Sequence, residues 1–243
     1  MQVENLLKRN REISKTGLSV LIDPGKMDSD SLKHFLMDIS SSKVSCLLIG
    51  GSLVEQNALK HCVDQVRTYC NQPIILFPGG HLQVVDTADA ILFTSLISGR
   101  NAEWLIGQQV RASYDVWNSG IEVLPTGYVL MDGGSNTSVS YLSNTIPIPQ
   151  GKDEILLSTV LAGKLMGMRH FYLESGSGAK SHVSVQAIEK VKHVIDEFIW
   201  VGGGIRQKDE VKLMVEAKVD MIVIGTVLEE NPKQLSDLLQ GLD

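Results

Sequence analysis

Three glycine-rich segments in the last third of the chain carry the residue types needed to hold an oxyanion. They are Tyr172-Leu173-Glu174-Ser175-Gly176-Ser177-Gly178-Ala179-Lys180, Gly202-Gly203-Gly204-Ile205-Arg206 and Gly225-Thr226-Val227. Glycine lets backbone N–H groups approach an anion with no Cβ in the way. Ser177 and Thr226 add hydroxyl donors, and a helix N-terminus after each turn would add a favourable dipole. Any one of these turns is equally well explained as a tight loop. Three in succession describe a cradle for one phosphate monoester. Earlier in the chain stand Asp23, in Leu21-Ile22-Asp23-Pro24-Gly25-Lys26, and Ser52, in Gly50-Gly51-Ser52. A carboxylate and a hydroxyl with open positions suit Mg²⁺, which keeps waters and is completed by substrate phosphates. Asp23 before Pro24 reads equally well as a turn former. Glu174, beside the cradle, is placed to act as a general base toward a hydroxyl of a phosphorylated substrate. Its alternative is an ion pair with Lys180 or Arg206. Tyr172 lies two residues earlier, on the same face of a regular strand. It would orient that hydroxyl or fill the interior.

These groups meet only if the fold gathers them. Short apolar runs recur along the chain: Leu18–Ile22, Val44–Ile49, Ile74–Phe77, Ala90–Phe93, Glu122–Leu130, His170–Leu173, Phe198–Val201 and Met221–Ile224. They lack a polar alternating face, which suits strands buried on both sides in a parallel sheet. Helical patterns lie between most of them: Ser29–Ile39 after an Asp28-Ser29 cap signal, then Val54–Tyr69, Ala102–Tyr114, Ser184–Asp196 and Asp209–Ala217, with a last short helix in Asn231–Asp243. Alternation of this kind predicts a TIM (β/α)₈ barrel over residues 1–243 as one domain. A doubly wound open sheet would place its phosphate-binding glycines after the first strand, whereas here the densest glycine turns follow strands six, seven and eight. The stretch between Phe77 and Ala90 is too short and glycine-rich for a crossover helix, so a loop or strand-like segment is expected there. Asp132–Asp153 reads as a long loop after the fifth strand.

Composition narrows the function classes. The 243 residues are 43% hydrophobic and 21% charged, which excludes a largely disordered chain, and the net charge of −6 argues against a broadly basic nucleic-acid binder. No apolar run approaches the roughly 20 residues of a spanning helix. Cys46, Cys62 and Cys70 match no zinc spacing and read as reduced thiols. With no apolar secretory core behind Lys8-Arg9-Asn10-Arg11, a cytoplasmic protein is expected.

Several segments, in order, are more specific: Leu21-Ile22-Asp23-Pro24, Gly50-Gly51-Ser52, Ala88–Leu96, Pro125-Thr126-Gly127-Tyr128, Tyr172–Gly178, Val201–Ile205 and Gly225-Thr226. The set resembles the geranylgeranylglyceryl phosphate synthase family, which includes heptaprenylglyceryl phosphate synthases, over nearly the whole chain. The resemblance implies a modified TIM barrel with a strand-like segment in place of the third helix. It implies Mg²⁺-dependent transfer of a polyprenyl group, geranylgeranyl or a longer one, to the C3 hydroxyl of sn-glycerol 1-phosphate, with release of pyrophosphate, in ether phospholipid synthesis. By resemblance the metal ligands fall on Asp23 and Ser52. The glycerol phosphate contacts fall on Tyr172, Leu173, Glu174, Ser175, Gly176, Ser177, Gly178, Gly203, Gly204, Gly225 and Thr226, and the base on Glu174. Departures are Gly25, where the family often has a second acid, Ala102 where it has proline, and the Gly133-Gly134 loop without a preceding proline. A prenyl tail needs an apolar groove, for which Ile91, Phe93, Leu96, Trp104, Tyr128 and Leu130 are candidates, each equally a candidate for barrel core. Surplus apolar residues in Ala102–Trp117 predict at least a homodimer. A phosphosugar isomerase and a non-catalytic phosphometabolite binder are the rival readings.

Overall fold

The computed structural model describes residues 2–13, 15–27 and 29–243. Eight parallel strands close into a barrel: β1 (Gly17–Ile22), β2 (Cys46–Ile49), β3 (Ile74–Leu76), β4 (Ala90–Leu96), β5 (Glu122–Leu130), β6 (His170–Glu174), β7 (Phe198–Gly202) and β8 (Met221–Ile224). Each pairs with the next, and β8 closes on β1 with Val20 opposite Ile224. Successive strand residues face opposite sides, which divides the apolar residues into two layers. Leu48, Leu92, Leu124, Tyr172, Trp200 and Met221 fill the interior. Leu47, Ile49, Leu173, Val201 and Ile222 face outward and pack against helices. This two-sided burial is why the strands read as continuous apolar runs.

The helices are α1 (Val3–Glu12), α2 (Ser29–Ser40), α3 (Gln56–Tyr69), α4 (Gln108–Ser119), α5 (Ser138–Ser143), α6 (Asp153–Leu165), α7 (Val185–Val194), α8 (Lys208–Glu216), α9 (Thr226–Glu230) and α10 (Leu235–Leu239). The Asp28 cap signal lies outside the described residues. Ser184 caps α7, its side chain accepting from the Ala187 N–H at 3.2 Å. As expected, no helix lies between β3 and β4. The irregular segment there is held by the buried Gln83 side chain, which accepts from Gly79 N–H at 3.0 Å and donates to Gly51 O at 2.9 Å.

Three elements differ from the sequence expectation. The first is α1, which buries only Val3 and Leu7, one helical turn apart, against the barrel interior. Its other positions are mostly charged, so it carries almost no apolar signal. It closes the N-terminal end of the barrel: the Glu122 carboxylate accepts from the Val3 and Glu4 N–H groups, and Glu4 pairs with Arg169 at 3.0 Å. The second is the long loop, which contains α5 and ends at α6, a helix apolar on most sides and so without a readable stripe. The third is the start of the fourth helix, where Glu103–Gly107 forms a π-helical turn ahead of α4. Such insertions re-aim side chains and cluster at functional sites.

Candidate active site

At the C-terminal ends of the strands lies an open cleft of about 1450 Å³, counting the part continuous with solvent. Asp23, Ser52, Tyr172, Glu174, Ser177, Gly178, Gly203, Gly204, Gly225 and Thr226 all line it. Residues scattered over some 200 positions converge because each but Tyr172, which points inward from within β6, follows or ends a strand, and all the strands point one way.

The glycine turns form one concavity. Ser177 Oγ lies 3.1 Å from Thr226 Oγ1, which joins the loops after β6 and β8. Between them, Gly203 and Gly204 have φ of +79° and +74°, a region L side chains rarely adopt. A Cβ at Gly203 would fall 2.4 Å from Glu174 Oε1. Leu173, Ser175 and Gly176 do not line the cleft, for separate reasons. Leu173 points outward into the helix layer. The Ser175 N–H continues the strand ladder to Gly202 O at 3.1 Å. The Gly176 N–H donates to Glu174 Oε1 at 2.7 Å and is committed to that carboxylate. The expectation of a helix dipole after each turn also needs correction. Helix α7 begins several residues beyond its turn, at Val185, whereas α8 follows its turn after the cap Gln207 and the five-residue α9 starts at Thr226 itself. The cradle is one of hydroxyls and left-handed glycine backbone.

Glu174 is 6% exposed and forms no ion pair with Lys180 or Arg206; Arg206 pairs instead with Glu230 at 3.6 Å. Burial pushes its carboxyl up to about 7, against the opposing pull of the Gly176 N–H and the Tyr172 hydroxyl. A carboxyl that titrates near neutrality, facing a cleft, is suited to taking a proton. Tyr172 is fully buried and stacks on Phe77, with ring centroids 4.7 Å apart, and on Tyr128 at 5.6 Å. Its hydroxyl converges with Glu174 on Gly202, where a Cβ would meet Tyr172 Oη at 2.5 Å and Glu174 Oε2 at 3.0 Å. Burial, and then the Glu174 charge, push the Tyr172 phenol up, so it stays a neutral donor. The Tyr172 hydroxyl is enclosed without a hydrogen-bond partner that meets ordinary geometry. A buried polar atom in that condition, in a cleft wall, is suited to a ligand hydroxyl.

Asp23 follows β1, next to the β8 end of the cradle and against Gly51 after β2. Its backbone carbonyl closes the Asp23–Lys26 turn at 3.2 Å, so the carboxylate is not the turn former. The carboxylate instead packs on Gly51, where a Cβ would meet its oxygens at 2.7–2.9 Å, and pairs with Lys26 Nζ at 3.2 Å. Ser52 follows Gly51 in the same wall. Among the described residues there is no group of three or more His, Cys, Asp or Glu able to hold a metal alone. One carboxylate and one hydroxyl fit Mg²⁺ when phosphoryl oxygens complete the shell.

From this polar end an apolar arm runs between the β3–β4 segment and α4. Five of the six groove candidates line it: Ile91, Phe93, Leu96, Trp104 and Tyr128. Leu130 is instead fully buried in the barrel interior. Sequence reasoning missed Glu229, which lines the polar end, and Val84, Ala112 and Val139 in the arm. Glu229 lies one helical turn beyond Thr226, a spacing that places both on one face. The other three carried no signal apart from the fold.

The chain matches the PcrB family over residues 6–242. It is 43% identical to the geranylgeranylglyceryl phosphate synthase of Chitinophaga pinensis over 92% of this chain and 89% of that protein. It is 34% identical to the protein of the same name from Korarchaeum cryptofilum, over 96% of each. The crystal structure of (S)-3-O-geranylgeranylglyceryl phosphate synthase from Thermoplasma acidophilum, in complex with its substrate sn-glycerol-1-phosphate, superposes with a TM-score of 0.92 at 29% identity, covering 99% of this chain and 97% of that one. A closed parallel barrel, a glycine and hydroxyl concavity continuous with an apolar arm, and these similarities agree: the chain belongs to the PcrB family and is a prenyltransferase.

Proposed function

We propose that the enzyme transfers a polyprenyl group, geranylgeranyl by analogy with its named relatives, from its diphosphate to the C3 hydroxyl of sn-glycerol 1-phosphate, as a step toward ether phospholipids. The continuity of the cradle with the apolar arm, in one cleft, carries this reading. A phosphosugar isomerase has no use for such an arm, and a simple phosphometabolite binder needs no buried base.

Ser177, Thr226 and the Gly203-Gly204 backbone take the phosphate. Tyr172 donates to the C3 oxygen, and Glu174 accepts its proton as the new C–O bond forms and the allylic C–O bond to the diphosphate breaks. Fixing the two reactants together is worth up to about 7–11 kcal/mol. Asp23 and Ser52 would hold Mg²⁺, which when bound neutralises charge on the leaving diphosphate. Phe93, Trp104 and Val139 exclude water from the prenyl chain. Incubation with Mg²⁺, sn-glycerol 1-phosphate and a labelled prenyl diphosphate tests the reading. A labelled prenyl ether with release of pyrophosphate supports it, and no product overturns it. Ser177→Ala and Thr226→Ala should each raise the KM for glycerol phosphate by about two- to tenfold, the worth of one ordinary hydrogen bond, and leave that for the prenyl donor unchanged. Equal changes in both constants would show the two ends exchanged.

Among the described residues no helix is long and apolar enough to cross a membrane. Cys46, Cys62 and Cys70 are free and buried, with thiols pushed up by burial, consistent with the cytoplasmic location we propose. We also propose at least a homodimer through α4. Trp104, Gln108 and Ala112 line the cleft, while Ile106, Val110, Tyr114 and Trp117 form an opposite stripe exposed by 59–85%. A helix apolar on both sides needs cover on the second. Light scattering at micromolar concentration should give twice the chain mass or more, and Trp117→Glu should reduce it. A wild-type monomer refutes the proposal.

A further inference from the structure

The ammonium of Lys26 lies between two carboxylates. Its Nζ is 3.2 Å from Asp23 Oδ2 and 3.1 Å from Glu229 Oε2. The Asp23–Lys26 turn folds the lysine back over Asp23, and the pairing of β1 with β8 sets α9, which carries Glu229, beside that turn. All three side chains line the polar end of the cleft. Asp23 Oδ2 therefore already carries a cation, with which a metal ion drawn to that carboxylate competes. Glu229 gives the displaced ammonium a second partner, so leaving Asp23 does not strand it unpaired.

We propose that Glu229 is a positioning residue for the cation site: it holds Lys26 aside when Asp23 takes a divalent cation, while Lys26 neutralises Asp23 when no metal is bound. This rests on the reading of Asp23 as a metal ligand. Without Glu229, Lys26 has only Asp23 among the described residues, and the metal competes against an undivided pair. Partly exposed pairs are worth up to about 1 kcal/mol, which corresponds to about a three- to fivefold change in affinity.

The test is a titration of the full chain with Mn²⁺, following free ion by electron paramagnetic resonance, with thermal melts to confirm folding. Glu229→Gln should weaken Mn²⁺ binding about three- to fivefold, and Lys26→Met should tighten it. In the Lys26→Met background, Glu229→Gln should lose most of its effect, because the ammonium it positions is gone. Glu229→Gln binding like wild type, or weakening binding undiminished in the Lys26→Met background, would overturn the proposal; the latter would mean that Glu229 acts through its own charge. Wild type and Asp23→Asn binding Mn²⁺ alike is a different failure, since it removes Asp23 as a ligand and with it the metal reading.

Discussion

Glu174→Gln is expected to lower turnover by about 100-fold or more while raising the melting temperature above pH 7. Both effects come from one buried carboxyl. Glutamine keeps the shape and can still accept from the Gly176 N–H, but it removes the basic oxygen, and a general base typically contributes about 10²–10⁴-fold. The KM for glycerol phosphate should change little, since Ser177, Thr226 and the glycine backbone hold the phosphate. The wild-type rate should fall tenfold per pH unit below about 7, where the carboxyl becomes protonated, and the variant should lack that limb. For stability the sign is the reverse of the usual acid. Burial raises the folded-state value from 4.5 to about 7. Folding therefore favours the protonated form, and the contribution of this carboxyl to wild-type stability is greatest below pH 4.5, declines as pH rises to 7, and is flat above. The loss is on the order of 3 kcal/mol at most. Glutamine avoids it, so the variant should melt several degrees higher at pH 8 and match wild type near pH 4. Single-turnover rates for the variant within a few-fold of wild type would show that Glu174 only positions the hydroxyl, and that the proton leaves by another route.

Asp23→Ala is expected to abolish prenyl transfer with the fold intact. Its side chain is 22% exposed and its pair with Lys26 is half open to water, so loss of that pair should cost no more than about 1 kcal/mol. The melting temperature should then move by only about 2–4 °C. Catalysis should suffer far more, because a metal neutralising charge on a leaving diphosphate supplies several kcal/mol, equivalent to about 10³-fold or more. Ser52→Ala should be milder, since water can replace a hydroxyl in the Mg²⁺ shell. Full activity of chelator-treated Asp23→Ala would sink the metal assignment.

What the sequence determined by itself was the barrel and most of the polar residues that line its cleft. Strands buried on both faces leave continuous apolar runs, and a parallel barrel leaves its functional residues at strand ends, so Asp23, Ser52, Tyr172, Glu174, Ser177, Gly203 and Thr226 could be read as one site. The missing third crossover was legible because Pro78-Gly79-Gly80 is too short and too poor in helix formers. Helix α1 escaped notice because a two-residue apolar face among charges looks like solvated chain, and α6 because a helix apolar on most sides has no period to detect. Only the tertiary structure decided how individual groups are used. Strand alternation turned Leu173 away from the site, and the Gly176 N–H went to Glu174 and not to the phosphate. Enclosure raised Glu174 to about 7 and buried the Tyr172 hydroxyl beside it in the cleft wall, with no partner of ordinary hydrogen-bond geometry. Lys26 found Glu229 some 200 residues away because β8 closes against β1. Period and turn chemistry are local and survive in one dimension. Desolvation, and the competition of two carboxylates for one ammonium, exist only once distant strands have been brought together.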